Sequence, residues 1–119
     1  MTTPFPKNLV GAASILMVLY ILRHKKSYGY EMSNIILEAS NGRIDFLTGS
    51  FYPLLKKMEK QGLIKSDWGT EDDTRSRKYY TILEKGYKKI DEHKEEFQSL
   101  ISILNKLYSD DKTKIKLLA

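Results

Sequence analysis

The chain has 119 residues and no cysteine, which excludes a disulfide framework, a thiolate nucleophile and any cysteine-ligated metal. Twenty Lys and Arg against fifteen Asp and Glu give a net charge of +5, a balance suited to nucleic acid or another anionic surface. His24 and His93 are the only histidines and lie far apart in sequence, so neither a metal nor another cofactor is expected.

Residues 1–6 carry two prolines and read as a loose arm. Residues 9–22 form the most apolar run, but fourteen residues fall short of the roughly 20 that a membrane span needs. The basic Arg23-His-Lys-Lys26 follows it, where a secretory signal would carry a small-residue cleavage site. A soluble, cytoplasmic protein with no membrane partner is expected. The run fits a first helix from Lys7 or Asn8 to His24, apolar on so much of its circumference that more than one side needs cover. That is a first sign of a second subunit. After a break at Ser27-Tyr-Gly29, a second helix spans residues 30–39 with Tyr30, Ile35 and Ile36 facing inward and Met32 a further candidate. Ser40-Asn-Gly42 is a strong turn signal, and residues 43–47 connect onward.

The chain is organised around residues 48–62. Phe51, Leu54, Leu55 and Met58 recur at three- and four-residue spacing and make one apolar stripe. Ser50, Tyr52, Pro53, Lys56, Lys57 and Lys60 fall mostly off it. Pro53 costs little only in the first helical turn, so the helix begins near Ser50, with Ser50 or Thr48 as N-cap. Gly62 supplies the stop, and lysines in the last turns suit the negative end of the helix dipole. Beyond Gly62 the period becomes alternating. Residues 63–68 read as a strand, residues 70–76 as a polar tip and residues 77–83 as a second strand. Helix, helix, helix and hairpin, in that order, describe a winged helix-turn-helix.

From Glu84 a long helix runs to about Ser109. Ile90, Phe97 and Leu104 lie seven apart, as do His93, Leu100 and Leu107, and Ile101 widens the stripe. So small a domain offers such a helix little to pack on, and a homodimer seam through these seven residues is expected; the alternative is that the helix folds back over its own domain. The fold class is therefore mainly α with a small β-hairpin (α+β): a winged helix-turn-helix domain over residues 1–83 and a dimerisation helix with its tail over residues 84–119.

Gly49-Ser-Phe-Tyr-Pro-Leu-Leu-Lys-Lys-Met-Glu-Lys-Gln-Gly-Leu-Ile64 resembles the recognition helix of PadR-like transcriptional regulators. Tyr28-Gly-Tyr-Glu31 looks like the opening of that family's second helix, Arg77-Lys-Tyr-Tyr80 like its second wing strand, and Glu84-Lys-Gly86 like the turn into its last helix. The resemblance covers about residues 16–86 in order and register. It implies a homodimeric, sequence-specific DNA-binding repressor of the compact branch, some of whose members respond to small hydrophobic effectors at the dimer interface. Ser50 replaces the family's usual threonine and keeps the hydroxyl. The terminal helix carries no tryptophan to stack on a planar ligand, and offers Phe97 and Tyr108 instead.

On this reading the partner is a double-stranded DNA operator. Lys56, Lys57 and Lys60 would meet phosphates, while Ser50 and Tyr52, with Pro53 shaping the leading turn, would reach phosphate or base edges. Arg75, Arg77 and Lys78 would bring the wing onto flanking backbone, and Tyr30 would meet a phosphate at the start of the second helix. The alternative is a winged-helix dimer used as a protein-docking scaffold, favoured by the acidic Glu71-Asp-Asp73 at the wing tip. No phosphate loop or nucleophile-base pair supports an enzyme.

Overall fold

The computed structural model describes residues 3–46, 49–69 and 77–109. Its elements follow in chain order: α1 (Lys7–His24), β1 (Ser27–Tyr28), α2 (Gly29–Ala39), α3 (Phe51–Lys60), β2 (Ile64–Gly69), β3 (Arg77–Ile82) and α4 (Glu84–Tyr108). Arg75 and the acidic tip fall outside the described residues.

α1 turns Leu16, Val18, Leu19 and Leu22 into the core, while Ile15, Met17, Tyr20 and Ile21 are half-covered beside it. Both α2 and α3 end in the same way. At α2, Asn41 takes φ 52° and the amides of Asn41 and Gly42 donate to the carbonyls of Glu38 and Leu37. At α3, Gly62 takes φ 76°, and the amides of Gly62 and Leu63 donate to the carbonyls of Glu59 and Met58. These paired bonds satisfy the last carbonyls and reverse the chain within two residues. At Gly62 a side chain would clash with its own backbone in that left-handed conformation.

The sheet has three strands in the order β1-β3-β2, all antiparallel. The hairpin was expected; β1 was not. Ser27 and Tyr28 pair with Tyr80 and Tyr79, so the link between α1 and α2 is stitched to the wing's central strand. The buried Ser27 hydroxyl donates to the Glu31 carboxylate at 2.6 Å, and Lys25 lies 3.5 Å from the same group. Glu31 thereby ties the strand to the first turn of α2, where a negative charge also suits the helix dipole.

Three further expectations are corrected. The arm is not loose over residues 3–6. The Arg43 guanidinium lies 3.6 Å over the Phe5 ring, its Nε donates to the Thr3 carbonyl at 2.9 Å, and the Phe5 amide donates to the Arg43 carbonyl. In α2, Ile36 and the further candidate Met32 take core positions as expected, whereas Tyr30 and Ile35 face outward, because the buried stripe runs through Gly29, Met32, Ser33 and Ile36. In α4, Ile90, expected at the seam between subunits, lies in the chain's own core, because the first turns of the helix pack back over the domain. Past Ile90 the helix leaves the body. His93 and Phe97 are partly covered, whereas Leu100, Ile101, Leu104 and Leu107 are each about half exposed. At 25 residues α4 is about 37 Å long, and the chain extends over 64 × 38 × 21 Å.

Candidate nucleic-acid interface

α3 is the most strongly two-faced helix of the chain. Phe51, Leu55 and Met58 are fully buried, with Phe51 against Phe46 at 5.0 Å between ring centres. Burying that stripe fixes what remains outside: Ser50, Tyr52, Pro53, Lys56, Lys57 and Lys60 are all exposed. Pro53 sits third in the helix, where its missing N–H breaks no intrahelical bond. Ser50 holds the N-cap position, but its hydroxyl makes no capping bond and so stays available to a ligand. Thr48 lies outside the described residues.

The exposed residues divide between two grooves that flank the helix. Tyr52, Lys56 and Lys60 are four residues apart and turn toward the wing. With Tyr30, Arg77 and Lys78 they line an open groove of about 1130 Å³. Ser50, Pro53 and Lys57 turn the other way and line a second groove of about 880 Å³ with Phe5, Lys7 and Arg43. Sequence spacing predicted one basic face; the structure makes it a ridge between two channels.

Local packing aims the wing-side groups. The hydroxyl end of the Tyr52 ring lies against the first residue of α2, where a Cβ on Gly29 would meet its Cε1 at 2.7 Å. Only glycine leaves room for that ring. Lys78 reaches back to Glu59 of α3 at 3.8 Å and joins helix to wing. The Arg77 guanidinium stacks 4.4 Å over Tyr28, whose ring meets Tyr79 edge to face. Tyr80 forms the groove's floor. Burial first, then the Glu59 carboxylate and Tyr52, raises its phenol above the ordinary value of 10.0, so the hydroxyl stays a neutral donor near neutral pH.

Sequence reasoning missed Glu59, Trp68 and Tyr80 as lining groups. The alternation of β2 and β3 carried the signal for Trp68 and Tyr80. Ser66 pairs with Tyr80 and Trp68 with Lys78, so all four belong to the sheet face that Ile64 and Ile82 continue into the core. The seven expected seam residues form no site of their own within one chain. Ile90 is in the core, and on α4 His93 Nδ1 lies 3.5 Å from Glu96. Among the described residues no group of three or more His, Asp or Glu could hold a metal ion, and no helix is long and apolar enough to cross a membrane.

Three helices, a three-stranded sheet with β2 and β3 as wing, and an exposed third helix define a winged helix-turn-helix protein. Residues 18–92 match the transcriptional regulator PadR-like family, and the chain belongs to that family. It is similar to a solved transcriptional regulator from Clostridium thermocellum at 28% identity and a TM-score of 0.79, covering 87% of this chain and 100% of that one. A PadR-like transcriptional regulator from Bacillus cereus aligns with 28% identity and a TM-score of 0.75 over 88% of this chain and 100% of its own. A PadR family regulator from Clostridium difficile shows 29% identity and a TM-score of 0.68, covering 82% and 99%.

Proposed function

We propose that the protein is a homodimeric, sequence-specific DNA-binding repressor, with α3 entering the major groove and the wing gripping the flanking backbone. One observation carries this reading: its own domain buries Phe51, Leu55 and Met58 of α3 and half-covers Leu54, which leaves a ridge of Tyr52, Lys56, Lys57 and Lys60 facing solvent. Lysines so placed suit phosphates, and Ser50 and Tyr52 at the leading end suit base or phosphate edges. Arg77 and Lys78 add the wing's charge, and Tyr30 a hydroxyl beside them. Dimerisation is supported by the part of α4 beyond Ile90, where Leu100, Ile101, Leu104 and Leu107 are about half exposed along one helix. His93 and Phe97 extend that stripe toward the domain. A dimer would set its two α3 helices in successive major grooves about 34 Å apart. A small hydrophobic effector seated at that interface would release the operator by shifting this spacing.

Selection of bound duplexes from a random pool tests the reading. The expected result is a palindromic site with half-sites one helical turn apart. Retention without sequence preference would favour the docking scaffold instead. Lys56→Ala should lower the slope of log affinity against log salt by about one. An unchanged slope removes Lys56 from the contacts. A thermal-shift screen of apolar compounds against the dimer tests the effector.

A further inference from the structure

Trp68 is the chain's single tryptophan and is 70% exposed on the wing. An exposed indole offers a partner both an apolar ring face and an N–H donor. The exposure follows from the strand's geometry. Along β2 the face that buries Ile64 passes through Ser66 to Trp68, so the strand carries the indole out of the core and into the mouth of the wing-side groove.

The surroundings indicate what would cover it. Lys56, Lys60, Arg77 and Lys78 line the same groove, and Glu59, already paired with Lys78, is the one carboxylate among its described lining residues. Protein partners bury aromatic anchors in patches depleted of charge, whereas this indole shares its groove with four cations. A polyanion with an apolar surface between its charges is the complementary ligand, and a DNA strand presents deoxyribose faces between phosphates. On the DNA-binding reading the groove also lies on the path of one strand. With α3 in a major groove and the wing beside the flanking backbone, the intervening strand crosses the channel between them.

We propose that Trp68 packs its indole against the deoxyriboses of that strand, donating its N–H to a phosphate, while Lys56, Lys60 and Lys78 neutralise the phosphates on either side. This rests on the DNA-binding reading above and adds an uncharged, sequence-independent contact to it.

Because the chain has a single tryptophan, fluorescence excited at the red edge, where its tyrosines do not absorb, reports on this side chain alone. Acrylamide quenching is measured free and saturated with a selected duplex, alongside the affinities of wild type, Trp68→Ala and Trp68→Phe for selected and scrambled duplexes. Saturation should protect the indole severalfold. Trp68→Ala should weaken binding roughly tenfold, in the range for loss of an aromatic contact to nucleic acid. The loss should be equal on both duplexes and leave the salt slope unchanged, since no charge is removed. Trp68→Phe should recover part of the affinity. Thermal melting of the variants should match wild type, as expected for an exposed site. An indole as quenchable in the complex as outside it, or undiminished binding by Trp68→Ala, overturns the inference while leaving DNA binding intact. A loss confined to the selected duplex overturns the backbone placement in favour of a base contact. A wild-type chain that retains neither duplex overturns the DNA-binding reading itself, and this inference with it.

Discussion

α3 and α4 are both amphipathic, yet they use that property in opposite ways. The apolar stripe of α3 is covered by its own domain, with Leu55 at 0% exposure, and the polar face is left to meet a partner. The stripe of α4 is buried at Ile90, partly covered at His93 and Phe97, and left open beyond them, with Leu104 56% exposed. One stripe is closed within the chain; the other is left half open by it. Substitutions on the two stripes should therefore differ in kind as well as in size.

Leu55→Ala empties a fully buried site and should cost about 3 kcal/mol of stability. Urea denaturation should show this cost at every protein concentration. Leu100→Glu combined with Leu104→Glu should leave the domain folded, dissociate the dimer in sedimentation, and lower operator affinity on the order of 10²-fold through lost bivalency. A double variant that remains dimeric would break the contrast between the helices. Gly29→Ala sharpens it from the other side. Its new Cβ would displace the exposed Tyr52 ring, so melting should change by less than about 1 kcal/mol while operator affinity falls severalfold. Smallest is the effect of Tyr80. Its raised phenol pKa means that below the unfolded value of 10.0 both states hold the proton and the contribution is complete. Above that pH the unfolded chain releases its proton first and stability is lost. Denaturation midpoints between about pH 9 and pH 11 should fall less for Tyr80→Phe than for wild type.

The same contrast explains what the sequence could reveal. Hydrophobic patterning found every helix and both wing strands to within a residue or two: α1 by its apolar run, the others by the spacing of their apolar residues. It placed Leu55 and Met58 inward without needing to know their neighbours. It misassigned Ile90, because a heptad records that a face will be buried but not by which chain. It missed β1, because two residues have no period, and Ser27 and Tyr28 become a strand only through β3, some fifty positions away. The split of the lysine ridge into two grooves was equally hidden. It depends on where the wing and the Phe5–Arg43 contact stand on either side of α3, which no local spacing encodes.

The turn after α3 has a thermodynamic consequence. Only residues 61–63 separate that helix from β2, and the amides of all three are bonded to carbonyls in its last turns. β1 holds the neighbouring strand from its other side. The described part of the wing and the lysine ridge therefore reach a ligand already set at a fixed angle. Freedom that a flexible linker would surrender on binding has been surrendered in folding, so more of each contact the ridge makes would appear as affinity.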